Sequence, residues 1–220
     1  EVMSYDRKSI QDLMMFGDLT EFFNTFSPDI VIHLASNISN DIDRCFEDLI
    51  CLRNLLEVCS KHNVKKFIFS SSAAVYGNSY PYEHPINEYG LSKLQCEQWI
   101  KLLSEKNNIK SIVVRFANIY GLNGKGVINQ YLNNIKKNKP IVIYGQGNNI
   151  RDFVSVEDII HVINNYIELD NWKEYECFDI GSSKGQSIIS LVPLLTEITE
   201  LNPITLSFLP ARNEIIKSEL

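Results

Sequence analysis

Short apolar runs alternate with longer segments of helical periodicity through most of this 220-residue chain. The run from Asp29 to Ala35 is apolar on both faces, as a buried parallel strand is. Residues 41–61 then repeat apolar side chains at helical spacing, and a strand over 65–70, a helix over 88–106 and a strand over 111–117 follow. This alternation predicts an α/β fold with a largely parallel sheet.

Shorter elements are predicted around this stretch by the same two periodicities. They are helices over 20–26, 127–138, 156–168 and 187–200, and strands over 141–144, 151–154, 177–180 and 204–208. The glycine-rich turn Gly121–Gly126 is the candidate seam between two halves of the molecule.

Composition excludes several classes of function. A net charge of −6 argues against nucleic acid as the main partner, because phosphate binding needs a basic face. No run approaches the roughly 18 apolar residues of a membrane span, and no signal peptide is visible. The five cysteines form no C-x-x-C pair and give no metal spacing with the four histidines. We therefore expect a cytoplasmic protein with no metal site, with core cysteines and with His33 as a core histidine.

A tyrosine and a lysine stand four residues apart in Tyr89-Gly-Leu-Ser-Lys93, near the start of a predicted helix. That spacing puts them on one helix face, about 5–6 Å apart at the β-carbons. At ~5 Å and an effective dielectric near 20, the ammonium would lower the tyrosine pKa by roughly two units. The pair could then exchange a proton with an alcohol that is oxidised to a ketone.

Three serines, Ser70, Ser71 and Ser72, follow the predicted strand that precedes this helix. In open α/β sheets, ligands bind beyond the carboxyl ends of the strands. A hydroxyl there can bond the same oxygen on which Tyr89 acts, although serines also satisfy backbone groups where a strand ends.

An ordered set of segments over nearly the whole chain resembles the NAD-dependent sugar-nucleotide epimerase/dehydratase family, the extended short-chain dehydrogenase/reductases. The segments are Gly17-Asp18-Leu19, Val31-Ile-His-Leu-Ala35, Asn54-Leu-Leu-Glu57, Ser70-Ser-Ser-Ala-Ala-Val-Tyr-Gly77, Tyr89-Gly-Leu-Ser-Lys93, Arg115-Phe-Ala-Asn-Ile-Tyr-Gly121, Tyr144-Gly-Gln-Gly147, Arg151-Asp-Phe-Val-Ser-Val-Glu-Asp158 and Asp179-Ile-Gly-Ser182.

This resemblance implies a Rossmann-like NAD-binding domain over 1–120 and a smaller α/β substrate-binding subdomain over 121–220, with some segments interleaved. It implies catalysis by Ser72, Tyr89 and Lys93, with NAD as cofactor and NADP as the alternative. The implied cofactor-binding residues are Asp18, Leu19, Leu34, Ala35, Ser36, Ser70, Tyr89, Lys93 and Phe116. The implied substrate-binding residues are Ser72, Asn118, Tyr144, Arg151 and Arg212.

The residues after Ser72 bear on the reaction within this family. The dehydratases place an acidic pair there, whereas this chain has Ala73 and Ala74, and alanine cannot move a proton. The resemblance thus implies a UDP-hexose type 4-epimerase, an isomerase of polysaccharide biosynthesis, acting through a transient 4-keto intermediate. A 4-ketoreductase and a non-catalytic nucleotide-sugar-binding or scaffold protein are the alternatives.

The chain also departs from the family pattern. The first strand, glycine-rich loop and helix of the Rossmann-like half are absent, and Asp48 and Cys51-Leu52 replace an asparagine and a Gly-Thr pair. Three loops, near 37–43, 78–89 and 123–126, are short. We expect either that residues of the full protein are left out of this sequence or that the protein is a deletion variant. An intact mass of 25.3 kDa would support the deletion variant.

The resemblance further implies a homodimer in which two long helices of each copy, near 41–61 and 88–106, form a four-helix bundle. We expect its apolar surface to come from Leu52, Leu56 and Cys59, beside Trp99, Leu102 and Leu103.

Overall fold

The chain divides into two compact units in the computed structural model, which describes residues 2–5, 12–200, 204–212, 214–218 and 220. Unit 1 comprises Glu1–Val75, Pro85–Arg115 and Leu169–Phe178. Unit 2 comprises Tyr76–His84, Phe116–Glu168 and Asp179–Leu220.

Helices and strands alternate along the described residues, as the apolar pattern predicts. The helices are α1 (Phe16–Phe26), α2 (Ile42–Lys61), α3 (Glu88–Asn107), α4 (Val127–Lys136), α5 (Val156–Glu168) and α6 (Leu191–Thr199). The strands are β1 (Ile30–His33), β2 (Lys66–Ser72), β3 (Lys110–Phe116), β4 (Asn118–Tyr120), β5 (Ile141–Tyr144), β6 (Ile150–Ser155), β7 (Tyr175–Ile180), β8 (Gly185–Ser187), β9 (Leu206–Leu209) and β10 (Lys217–Ser218).

A four-stranded sheet in the order β1-β2-β3-β7 is the centre of unit 1. β1 and β2 are parallel, with His33 opposite Phe69, so both strands end at the same edge of the sheet. Helices α1, α2 and α3 supply the apolar side chains that pack with this sheet, among them Leu19, Leu56 and Ile100. The sheet edge and the helices that cover it together position the predicted Tyr–Lys pair.

Helices α2 and α3 pack against each other. The residues exposed on these two helices differ in part from those predicted to form the dimer surface. Leu52, Leu56 and Cys59 are buried in the core of unit 1, so they cannot supply an exposed apolar face. The prediction was wrong because the apolar residues of α2 occupy more than one helix face, and periodicity alone does not tell which face meets the sheet. Trp99 and Leu102 of α3 are exposed, as expected, whereas Leu103 is partly buried against the same core.

Unit 2 contains smaller sheets. Strand β6 lies between β10 and β4, both parallel to it, and also pairs antiparallel with β8. Strands β5 and β9 form a separate parallel pair. An apolar cluster that includes Tyr131, Ile143 and Leu195 packs α4 and α6 with β5.

A buried carboxylate fixes the loop after β7 in unit 2. Asp152 is fully buried and accepts hydrogen bonds from the backbone N–H groups of Ser182 and Ser183, at 2.8 and 3.0 Å. A β-carbon on Gly181 would lie 2.3 Å from Asp152 Oδ2, so only glycine lets this loop approach the carboxylate.

The predicted last helix begins later than expected. Gly185–Ser187 is an edge strand, and α6 starts at Leu191. Pro193 is the third helical residue, where its missing N–H would have had no partner within the helix. The very short strands β4, β8 and β10 were not predicted, because two or three residues carry no periodic signal.

The remaining expectations about the core are confirmed except for Cys177, which is only partly buried. Cys45, Cys51, Cys59 and Cys96 are buried and no cysteine of the described residues is in a disulfide. His33 is buried between aromatic rings, 5.7 Å from the ring centroid of Phe69. Burial and, to a smaller extent, the positive charge of Lys93 together lower its pKa to about 3.

Candidate active site and family

Two chain segments leave the sheet of unit 1 at the same edge. Leu34–Ser36 follow β1, and Ser70–Ser72 end the neighbouring parallel strand β2. Leu34 is 60% exposed, although a leucine is normally buried. An apolar side chain, serine hydroxyls and free strand ends at one sheet edge are typical of a ligand site in an α/β protein.

The first turn of α3 is held against this edge by local sequence. Asn87 caps the helix, and its side chain accepts a hydrogen bond from the Gly90 N–H at 2.8 Å. A β-carbon on Gly90 would lie 2.5 Å from the carbonyl oxygen of Ala74, in the 3-10 turn Ala73–Tyr76 that follows β2. Glycine thus permits the close approach that sets Tyr89 beside the end of β2.

Lys93 points into the unit from the next turn of α3. Its side chain is almost fully buried, and Nζ donates a 2.8 Å hydrogen bond to the carbonyl oxygen of Ser70. The ammonium lies 4.7 Å from the ring centroid of Phe69 and 5.9 Å from that of Tyr89. Burial lowers the pKa of Lys93, while the nearby Cys96, Asp48 and Glu97 act in the opposite direction.

The predicted depression of the Tyr89 pKa is not what the structure gives. Burial raises the pKa of Tyr89, a hydrogen bond with the Ser72 side chain opposes that rise, and the charge of Asp48 adds to it. Helical spacing correctly places Lys93 on the same face, but the ammonium is directed to the Ser70 carbonyl and the phenol loses its hydration. Ser72, Tyr89 and Lys93 are nonetheless brought together.

The other predicted cofactor residues lie in different surroundings. Asp18 is exposed in the first turn of α1. Leu19 beside it is fully buried in the core, against the prediction that it contacts the cofactor, because this apolar side chain packs into unit 1. Ala35 is exposed, and Ser36 donates a 2.7 Å hydrogen bond to Asp48. Phe116 ends β3 and is buried.

Sequence reasoning missed a buried ion pair next to Ser71. Glu97 of α3 pairs with Arg115 of β3 at 2.5 Å, and both side chains are buried. The hydroxyl of Ser71, which lies between Ser70 and Ser72 in β2, also donates a hydrogen bond to Glu97. Glu97 follows Lys93 by one helical turn, and that spacing is the one signal that could have pointed to it.

In unit 2, Arg151 and Asn118 stand on neighbouring strands. Arg151 is mostly buried and pairs with Glu214 at 3.4 Å, not with the adjacent Asp152. Burial lowers the Arg151 pKa and the charge of Glu214 opposes that. Asn118 donates a 3.2 Å hydrogen bond to the backbone carbonyl of Asp152.

Tyr144 and Arg212 form a second pair in unit 2. The guanidinium carbon of Arg212 lies 3.3 Å from the ring centroid of Tyr144, which is a close stacking contact. Tyr144 ends β5, and Arg212 follows the partner strand β9 by three residues. The parallel pairing of β5 with β9 therefore brings these two predicted substrate residues together.

The family model for the NAD-dependent epimerase/dehydratase family matches residues 7–181, which is most of the chain. This chain belongs to that family.

Individual relatives in the family have related names. The chain is 35% identical to a Methanocaldococcus jannaschii protein provisionally named UDP-glucose 4-epimerase, over 81% of this chain and 63% of that protein. It is 31% identical to an Escherichia coli dTDP-4-dehydro-6-deoxyglucose reductase, over 86% of this chain and 65% of that protein. The chain thus spans a little under two thirds of the length of these curated relatives.

The fold is also that of a solved UDP-glucose 4-epimerase. The crystal structure of Thermotoga maritima UDP-glucose 4-epimerase with UDP-glucose superposes with a TM-score of 0.86 at 28% identity. The match covers 96% of this chain and 74% of that one. The predicted Rossmann-like α/β class is therefore confirmed.

Three further observations concern the described residues. Ala73 and Ala74, where the resemblance puts the acidic pair of a dehydratase, are buried in the 3-10 turn. Among the described residues, no group of three His, Cys, Asp or Glu side chains could hold a metal ion. Within the same part of the chain, every helix is too short or too polar to cross a membrane.

Proposed function

We propose that this chain carries the catalytic residues of an NAD-dependent epimerase that inverts C4 of a nucleotide-activated hexose of UDP type. The observation that carries the proposal is that Ser72, Tyr89 and Lys93 lie together at the end of β2. Tyr89 and Lys93 follow Ser72 by 17 and 21 positions in the sequence, so the fold is what brings the three together. The relatives named as UDP-glucose 4-epimerases support C4 as the reacting carbon.

The residues at this edge fit the nicotinamide–ribose half of NAD. A buried ammonium and a serine hydroxyl are donors suited to ribose hydroxyls and a carboxamide, and the exposed Leu34 offers apolar contact to a ring. We assign Leu34, Ala35, Ser36, Ser70 and Lys93 to this half, and Asp18 to the adenosine half. When bound, NAD supplies the acceptor and donor of the hydride at C4.

The side chains of unit 1 would handle the proton. Tyr89 Oη takes the proton of the C4 hydroxyl as that carbon becomes a ketone, and returns it when the ketone is reduced on its opposite face. Ser72, which is hydrogen-bonded to Tyr89, also hydrogen-bonds the reacting oxygen. Lys93, fixed by the Ser70 carbonyl, supplies the positive charge next to the phenol ring.

Unit 2 carries groups suited to the nucleotide part of the substrate. Arg151 and Arg212 have the planar guanidinium donors that a diphosphate favours, and Tyr144 offers an aromatic face for a base. Asn118 stands on the strand next to that of Arg151 and adds an amide. We propose that unit 2 binds the nucleoside diphosphate and unit 1 binds NAD.

A 4-ketoreductase is the second candidate, favoured by two observations. The 31% identical Escherichia coli relative is named as a reductase of a 4-dehydro sugar nucleotide. Burial also raises the Tyr89 pKa, and a phenol that keeps its proton is suited to protonating a carbonyl oxygen as it is reduced. An epimerase consumes no net cofactor, whereas a reductase oxidises one NADH or NADPH for each product molecule.

We also propose a homodimer through the outer faces of α2 and α3. Ile42, Phe46 and Ile50 recur every four residues along α2 and are exposed, as are Trp99 and Leu102 on α3. Exposed apolar stripes on two adjacent long helices are suited to the same stripes of a second copy, which would make a four-helix bundle.

The Tyr89→Phe variant tests the proposed reaction. It should lose at least about 10²-fold in turnover of UDP-glucose to UDP-galactose, since one phenol oxygen moves the proton. NAD affinity by calorimetry should stay within a factor of about three, because the ring remains. Tyr82→Phe, at an exposed tyrosine, is the matched control and should keep full activity. Turnover retained in Tyr89→Phe contradicts the role, and NADH consumption equal to product formed favours the reductase.

A further inference from the structure

Three consecutive serines at the end of β2 are bonded to three successive turns of α3. The hydrogen-bonded pairs are Ser72 with Tyr89, Ser70 through its carbonyl with Lys93, and Ser71 through its hydroxyl with Glu97. The first two pairs contain residues that the proposed reaction uses. The third pair contains none of them, although Ser71 lies between the two serines that take part.

The Glu97 carboxylate is held in one orientation by the neighbouring strand β3. Arg115 of β3 donates from Nε to Oε1 at 3.0 Å and from Nη2 to Oε2 at 2.5 Å. Glu97 is 2% exposed and Arg115 is 7% exposed, so water hardly competes for these bonds. Oε1 is also the oxygen that accepts from the Ser71 hydroxyl. Because a forked guanidinium fixes the plane of a carboxylate, the ion pair also fixes the Ser71 side chain.

Apolar side chains would hold α3 to the sheet as well as this ion pair does. Exchange of a buried ion pair for apolar residues of similar size is often neutral or stabilising. What the carboxylate adds is direction, since a hydrogen bond weakens outside a narrow range of distance and angle. Ser71 is the residue before Ser72 in β2, so a bond that fixes Ser71 also limits where the Ser72 hydroxyl can stand.

We propose that Glu97, oriented by Arg115, is a positioning residue of the active site. Through the Ser71 hydroxyl it fixes the end of β2, so that Ser72 and Tyr89 meet the same substrate oxygen. It acts through Ser71 and exchanges no proton with the substrate. The inference rests on the proposed function, because the placement of Ser72 matters to turnover only if Ser72 and Tyr89 act on the oxygen at C4.

The variant Ser71→Ala removes the link and leaves the buried Glu97–Arg115 pair intact, so it should fold. Its kcat for UDP-glucose should fall about tenfold, because proton transfer depends on one geometry. KM and NAD affinity should stay within a factor of about three, since binding is spread over many contacts. Ser104→Ala is the matched control: it deletes another buried hydroxyl bond between α3 and a strand, from Ser104 to Ser111 at 2.6 Å, and should keep the wild-type kcat. Ser71→Thr keeps a hydroxyl and should restore kcat to within about threefold.

The same substitution made in a Ser72→Ala background separates positioning from a purely structural role. Without the Ser72 hydroxyl there is nothing left to position, so adding Ser71→Ala should lower kcat by no more than about twofold. A structural role would cost the same tenfold in both backgrounds. That outcome, or a Ser71→Ala enzyme with the wild-type kcat, overturns the inference. Failure of the proposed function would show separately, as turnover that survives Tyr89→Phe.

Discussion

At the scale of single residues, burial controls the ionisation of the site more than charge pairing does. Burial is the largest cause of the raised Tyr89 pKa, of the lowered Lys93 pKa and of the lowered His33 pKa. All three shifts favour the neutral form of the side chain. The site is thus a poor place for an isolated charge, and charges that persist there need partners such as the Ser70 carbonyl under Lys93.

The buried histidine gives a pH dependence of stability with a definite sign. His33 takes up a proton near pH 6.5 when the chain is unfolded and near pH 3 when it is folded. Between these values the unfolded state binds more protons, so stability falls as the pH falls, by up to about 1.4 kcal/mol per pH unit. Urea unfolding of the wild type and His33→Gln at pH 6 and pH 4.5 measures this.

The quantity compared is the loss of unfolding free energy between pH 6 and pH 4.5, in the wild type and in His33→Gln. Groups other than His33 titrate in both proteins and cancel, so the wild type should lose more stability on acidification than His33→Gln does. Equal losses in the two proteins would show that His33 is protonated in the folded state too.

At the scale of elements, the start of α3 determines where the reactive tyrosine stands. The Asn87 cap fixes the first residue of the helix, and Gly90 lets the first turn touch the Ala74 carbonyl. Asn87 can be read from the sequence as a helix-start signal. The close approach to Ala74 cannot, because it depends on where the chain returns after β2.

The variant Gly90→Ala tests this contact. Alanine in a helix is usually more stable than glycine by about 1 kcal/mol, but here its β-carbon would overlap a backbone oxygen. We expect the free energy of unfolding to fall by about 1–3 kcal/mol, with a loss of turnover, as α3 is pushed from the end of β2. Chemical denaturation and the epimerase assay measure the two effects.

Gly17→Ala is the matched control for that substitution. Gly17 also lies in the first turn of a helix, α1, and its β-carbon would meet nothing within 4 Å. This variant should be as stable as the wild type or up to about 1 kcal/mol more stable. A stabilised Gly90→Ala protein would mean that α3 shifts without strain.

At the scale of the whole molecule, the ordered motifs predicted the family and the fold class, and both are confirmed. The long elements were predictable because ten or more residues carry a clear period. The contacts of Arg212 with Tyr144 and of Arg151 with Glu214 could not be predicted, because the partners lie 68 and 63 positions apart in the sequence. The first contact also depends on the pairing of β5 with β9, which leaves no local signal in the sequence. The ionisation of Tyr89 was predicted in the wrong direction, because spacing along a helix does not report burial.

The surface of unit 1 leads to the last prediction, which concerns assembly. Phe46 on α2 and Trp99 on α3 are 57% and 54% exposed, a large fraction for aromatic side chains on helices that pack together. If these faces pair with those of a second copy, a charge placed there would be buried without a partner at the interface. Phe46→Glu should therefore convert a dimer into a monomer with its fold intact.

Light scattering coupled to size-exclusion chromatography measures the mass, and circular dichroism checks the fold. Ile198→Glu is the matched control, because Ile198 is 74% exposed on α6 of unit 2, outside the proposed interface. It should leave the mass at twice that of one chain, whereas Phe46→Glu halves it. The proposed dimer surface on α2 and α3 is wrong if the wild type has the mass of one chain, or if the Phe46→Glu variant remains a dimer. The exposed aromatic rings of these helices would then have to contact another partner.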